Sequence, residues 1–253
     1  MSTPEPDGFV SRFDAQPTRW SMVQRAHDKS AGDGPAARQY LVMRYSPAIR
    51  SYVRAITRNE DQADDITQDV IVRLLQGDFA GADPHKGRFR DLLKTAVRNM
   101  TRNVWAKQKV RKSVEFDVSQ VEQASIQEHD AAWDEGWQRN LLSLAWRRLE
   151  EYQESYASSN AHTVLKLRTD FPDDSSEELA KRLESVLHKP FRADQARQQL
   201  RRARVRFAEF LVEEVADMLD APTPQRIEEE LSSLGLLEQI RDCLPTGWAN
   251  LSN

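Results

Sequence analysis

Residues 61–76 read DQADDITQDVIVRLLQ, and the fold class follows from this stretch. Ala63, Ile66, Val70 and Leu74 recur at spacings of three and four, which places them in one stripe along a helix. Asp61, Asp65 and Asp69 lie four apart on the opposite side, with Gln68 beside them. The segment is therefore an amphipathic helix with an apolar face and an acidic one.

The same period continues in both directions. Upstream, Leu41, Tyr45, Ile49, Val53 and Ile56 share one side of a helix, and Pro47 is expected to kink or break it. Downstream, a loop at 77–87 leads to a helix with Phe89, Leu92, Leu93, Ala96, Val97, Met100 and Val104 on its apolar face. Arg90, Lys94, Arg98 and Arg102 lie four apart on another face of it. Trp133, Trp137, Leu141 and Leu144 resume the pattern, and a polar break at 158–160 precedes a short helix. Phe171 to Asp174 form a turn, and Ser175 with Glu178 fits a capping box for a helix carrying Leu179, Ala180 and Leu183. His188-Lys189-Pro190 ends that helix. A long one follows from about Asp194, with Ala196, Leu200, Ala203, Phe207 and Phe210 inward. After Pro222 and Pro224 a last amphipathic helix carries Ile227, Leu231, Leu234 and Ile240. Glycine (9) and proline (11) are sparse, and alternating β-branched runs are absent. The expected fold is all-α: two small helical domains joined by a flexible acidic linker, the second containing a helix-turn-helix.

Charge is distributed in blocks. The net charge is −4, but residues 86–112 hold ten Lys or Arg against the single acid Asp91. Residues 113–138 hold seven acids and no Lys or Arg. Residues 192–206 hold six Arg against one Asp, and residues 209–242 ten acids against two Arg. Two cationic patches are thus concealed in the average. The expected organisation is a disordered arm at 1–17, a helical domain at 18–112, the linker at 113–131, a second domain at 132–220 and an acidic extension at 221–253. No apolar run is long enough to span a bilayer and the opening residues are polar, so a cytoplasmic protein without a membrane span is expected. One cysteine excludes an internal disulfide, and five scattered histidines suggest no metal and no cofactor.

Three constellations could carry function. Cations on the helix from Phe89 neutralise phosphates, while Asn99 and Asn103 can read base edges and Phe89 and Trp105 can stack on unpaired bases. The bland alternative is a solvated cationic face over ordinary core aromatics. The capped helix, turn and arginine-rich helix after Ser175 make a helix-turn-helix pattern, with Gln195, Arg197, Gln198, Arg201, Arg202 and Arg204 facing DNA. A helical hairpin with a basic surface strip is the alternative there. Asp65, Gln68 and Asp69 suit a basic protein partner, or are a solvated acidic face. As catalytic carboxylates they lack a neighbouring histidine, a glycine-rich loop or a nucleophile elbow, so no enzyme is expected.

In this order the pieces resemble the bacterial RNA polymerase sigma factors of the sigma-70 family, specifically the short extracytoplasmic-function type. The resemblance covers roughly residues 18 to 215. It is carried by Thr18-Arg19-Trp20-Ser21, by Ala63-Asp64-Asp65-Ile66-Thr67-Gln68-Asp69-Val70, by Gly87-Arg88-Phe89-Arg90 through Arg98-Asn99, and by Arg201-Arg202-Ala203-Arg204. It implies that Asp65, Gln68 and Asp69 dock on the clamp helices of the polymerase beta-prime subunit. It implies that Arg88, Phe89, Arg98, Asn99, Arg102, Asn103, Trp105 and Lys107 serve the minus-10 element, and that the helix from Gln195 reads the minus-35 element of promoter DNA. It also allows for an anti-sigma factor as partner. A stand-alone helix-turn-helix regulator is the alternative; it would leave the acidic face unused. Two features depart from the pattern. The turn at 184–193 is longer than usual, and the tail after Asp220 is extra and acidic. That tail either competes with DNA for the arginines or completes the core of its domain.

Overall fold

The computed structural model describes residues 26, 32, 34–76, 89–112, 118–219 and 222–244, with backbone alone at 89, 105–112 and 118–129. The expected arm at 1–17 lies outside the described residues, as do the loop at 77–88 and the tail end from 245. Among the described residues the regular structure is helical throughout, with no strand. The helices are α1 (Gly34–Thr57), α2 (Glu60–Gln76), α3 (Phe89–Lys112), α4 (Val118–Ser155), α5 (Ala161–Asp170), α6 (Ser176–Leu187), α7 (Ala193–Ala216), α8 (Pro224–Ser233) and α9 (Leu237–Ile240). Among the described residues no helix is long and apolar enough to cross a membrane.

The described residues separate into two compact units. The first takes the residues up to Asn140 together with Ala216–Pro222, and the second takes Leu141–Val215 with the residues from Thr223. The dividing point therefore falls inside α4, not in a linker at 113–131. Helical backbone begins at Val118, because the acidic segment has neither glycine nor proline between Val118 and Gly136 and is rich in Glu, Gln and Ala. Low hydrophobicity alone does not stop a helix.

In the first unit α1, α2 and α3 pack on one another. Helix α1 runs through Pro47 as one element, so of the kink or break expected there, no break occurs. Leu41, Tyr45, Ile49, Tyr52 and Val53 on both sides of the proline are fully buried, so packing outweighs the one backbone hydrogen bond that proline forfeits. Arg58 turns the chain in the left-handed region (φ 52°). Asn59 then caps α2, its side chain accepting from the Gln62 N–H at 3.0 Å. The first half of α4 completes this unit. Trp133 meets Tyr52 edge-on at 5.0 Å, Trp137 stacks on Tyr45 at 5.5 Å, and the two tryptophans stack at 5.4 Å. Asn140 donates to the Arg44 carbonyl at 3.0 Å, and the Trp137 indole N–H donates to Met218 Sδ at 3.2 Å. Residues 132–140 and 216–222, expected in the second domain, belong by these contacts to the first.

In the second unit, Leu149 of α4, Val164 and Leu165 of α5, Leu179 and Leu183 of α6, and Ala196, Leu200 and Ala203 of α7 form one buried cluster. The side chain of Gln153 grips the start of α5, accepting from the Thr163 N–H and donating to its hydroxyl, both at 3.0 Å. The capping box at α6 is present: Glu178 N–H donates to Ser175 Oγ at 3.2 Å and Ser175 N–H to Glu178 Oε2 at 2.7 Å. Helix α6 extends to Leu187 and closes on His188 in the left-handed region, so the connection to α7 is residues 188–192. It is shorter than the expected turn at 184–193, because Glu184 to Leu187 complete a last helical turn. Thr223 caps α8, and the chain turns back at Gly235 (φ 65°), where Leu236 N–H reaches the Leu231 carbonyl. Ile227, Leu231, Leu234, Leu236, Leu237 and Ile240 are buried, so the tail is apolar on its inner side.

Candidate polymerase and nucleic-acid interfaces

The acidic face of α2 divides into bound and unbound carboxylates. Arg50 of α1 grips Asp64 through Nε at 2.5 Å and Nη2 at 3.2 Å, and Arg54 grips Glu60 at 2.7 Å. The Arg50 hydrogen bond holds the Asp64 carboxyl below its usual range. These pairs fasten α2 to α1. Asp65, Gln68 and Asp69 are exposed, and none of them has an ion pair or side-chain hydrogen bond among the described residues. They stand opposite Ala63, Ile66 and Val70, which are buried. The face nominated from the sequence is thus free to meet a partner, while Asp64 serves the fold.

Helix α3 is not uniformly cationic on its surface. Arg90 is buried, and Lys94 and Arg98 both reach Asp130 of α4, at 2.9 and 3.6 Å. The Tyr52 hydroxyl lies in the same cluster, pushed up to about 12 chiefly by burial. Asn99, Arg102 and Asn103 are exposed on the outer side. The row of four cations read from spacing therefore winds from the interior to the surface, and the exposed described side chains of α3 are Asp91, Thr95, Asn99, Arg102 and Asn103. Arg88 lies outside the described residues, and so do the side chains of Phe89, Trp105 and Lys107. Asp130 was not a candidate on the sequence, where it reads as one acid among many in a polar stretch. Asp130→Asn should release two cations on α3 and tighten single-stranded DNA binding about two- to fivefold at low salt, an effect lost as salt rises. Fluorescence anisotropy with a fluorescent oligonucleotide measures it.

On α7, Gln195, Arg197, Gln198, Arg201, Arg202 and Arg204 are all exposed, and Ala196, Leu200 and Ala203 behind them are buried. Gln195 has a second task. Its Oε1 accepts the Arg192 N–H at 2.9 Å and so caps the helix. Arg192 itself pairs with Asp194 at 2.9 Å, and Arg206 with Glu209 at 2.6 Å. Arg197, Arg201, Arg202 and Arg204 pair with no carboxylate among the described residues. Among the described residues no acid of the tail pairs with them; Glu238, for one, pairs with Arg241 at 2.6 Å. Of the two readings of the tail, burial of its apolar side supports completion of the core.

No curated protein and no solved structure matches the chain. The three helices α1 to α3, with the acidic face on α2 and the basic helix after it, coincide with a family match. Residues 41–111 match the family model for Sigma-70 region 2, so this part of the chain carries a domain of the sigma-70 family, whose sigma factors bind RNA polymerase and promoter DNA in transcription initiation.

Proposed function

We propose that the chain is a sigma factor of the extracytoplasmic-function type that docks on the beta-prime clamp helices through Asp65, Gln68 and Asp69, serves the minus-10 element with α3, and reads the minus-35 element with α7. The observation that carries this reading is the division of labour on α2. Glu60 and Asp64 are consumed by arginines of α1, whereas the three side chains in the motif's centre are exposed and have no partner among the described residues. This division leaves carboxylates on the outward side of α2 available to a cationic partner.

The roles on DNA follow from chemistry. Asn99 and Asn103 can pair with base edges, and Arg102 beside them can hold phosphate. On α7 the first two turns carry Gln198 and Arg201 for bases, and Arg204 further on suits phosphate. An anti-sigma factor is a further partner consistent with this reading, since it would have to cover the same exposed faces. Reconstitution tests the proposal. The chain should bind core RNA polymerase and direct run-off transcription from a subset of genomic promoters. Failure to bind core, with sequence-specific duplex binding by the free chain, would instead assign it to the stand-alone regulators.

A further inference from the structure

Two large apolar side chains stand exposed on the first unit, and both lie on the surface formed by α1 and α2. Met43 of α1 is 61 % exposed and Val72 of α2 is 40 % exposed. The other large apolar side chains exposed among the described residues, Tyr156, Phe171 and Val186, belong to the second unit. A single exposed apolar residue needs no explanation. The placement of these two does, because it continues the acidic face.

At about 100° per residue, Val72 falls within about 20° of Asp65 around α2, between Gln68 and Asp69 and one turn further along. On α1, Met43 falls within about 20° of both Arg50 and Arg54, which reach across to Asp64 and Glu60. These two pairs set an antiparallel register, since a step forward on α1 is matched by a step back on α2. The same register brings Met43 level with Ile71. Ile71 and Leu75, within about 20° of Asp64 around α2, line the seam with α1 and are half-buried, and Pro47, one turn from Met43, is exposed. The seam thus changes character along its length, from arginine–carboxylate pairs at one end to apolar side chains at the other.

Charged groups give a docking face its register and its salt dependence, while desolvated anchors carry much of the affinity. The carboxylates of Asp65 and Asp69 suit a cationic partner, and the stems of Lys and Arg side chains are themselves apolar. A partner element that follows α2 past Asp69 meets Val72 on the next turn. We propose that Met43 and Val72 form an apolar anchor at one end of the polymerase-docking face, seating aliphatic side chains of the same clamp helices that meet Asp65, Gln68 and Asp69. The inference rests on the docking reading of α2 and brings a second helix, α1, into it.

The test is binding of the full chain to immobilised core RNA polymerase over a salt series. Met43→Ala with Val72→Ala should weaken binding about tenfold, and the factor should persist as salt rises, because burial of apolar surface is not screened. The alanine triple variant of Asp65, Gln68 and Asp69 should instead flatten the salt dependence. Met43→Leu with Val72→Ile should bind nearly as the parent chain does, which ties the loss to apolar surface. If the alanine pair leaves Kd within about twofold while the triple variant weakens it, the anchor is overturned and α2 remains the docking face. If both are silent, both readings fall. A loss in the alanine pair that shrinks with salt would be electrostatic and would also overturn the anchor. Sedimentation velocity of the free chain should show a monomer. A dimer that Met43→Ala with Val72→Ala dissolves, with core affinity unchanged, would give the patch to a second copy of the chain and overturn the polymerase as occupant.

Discussion

Replacing Asp65, Gln68 and Asp69 together by alanine is expected to weaken binding to core RNA polymerase about a hundredfold and leave the chain folded. Each charged hydrogen bond to a partner contributes about 1.5–3 kcal/mol, so losing two carboxylates and an amide removes at least about 3 kcal/mol, or two decades in Kd. The fold should tolerate the change, since all three side chains are exposed and alanine is the best helix former. Asp64→Ala is the internal control. It breaks the Arg50 pair at an exposed site, where such pairs contribute at most about 1 kcal/mol, and should leave core affinity nearly unchanged. Measured by binding to immobilised core enzyme, an unchanged Kd in the triple variant would remove α2 as the docking face.

Truncation after Pro222 is expected to abolish cooperative folding of the second unit. Leu231 has no exposed surface, and Leu231→Ala alone should cost about 2–5 kcal/mol. The tail buries Ile227, Leu234, Leu236, Leu237 and Ile240 as well. At about 1.5–3 kcal/mol for each buried side chain, an upper estimate, their loss rivals the whole stability of a small domain, about 5–15 kcal/mol. Thermal unfolding followed by circular dichroism should show Leu231→Ala lowered by several degrees and the truncated chain without a cooperative second transition. A truncated chain that melts normally and binds promoter DNA more tightly would mean that the tail is an inhibitor rather than part of the core. The smaller effect of Asp130→Asn on α3 is a matter of charge release and should vanish at high salt, whereas the tail effect should not.

Much of the architecture was legible because helical periodicity is a local property. The stripe of Ala63, Ile66, Val70 and Leu74, the capping box at Ser175 and Glu178, and the inward row of Ala196, Leu200 and Ala203 each need only neighbours within a turn or two. The exposed triad on α2 and the exposed arginines of α7 follow from the same geometry, as the faces opposite those stripes. The errors are of another kind. Pro47 carries a local penalty that buried neighbours outweigh. The segment after Val118 reads as a linker because it is polar, yet polarity says nothing about whether good helix formers will continue a helix.

Local pattern thus settled the helical class, the positions of the main helices and which side of each faces outward, since these depend on a 3.6-residue repeat and on caps within one turn. It could not say that Trp133 and Trp137 stack on Tyr52 and Tyr45, that Asp130 holds Lys94 and Arg98, or that Arg50 takes Asp64 out of the acidic face. Each of those pairings joins residues far apart along the chain. Which of them form depends on how helices with equally plausible apolar faces choose partners, and that choice is made by shape and charge in three dimensions.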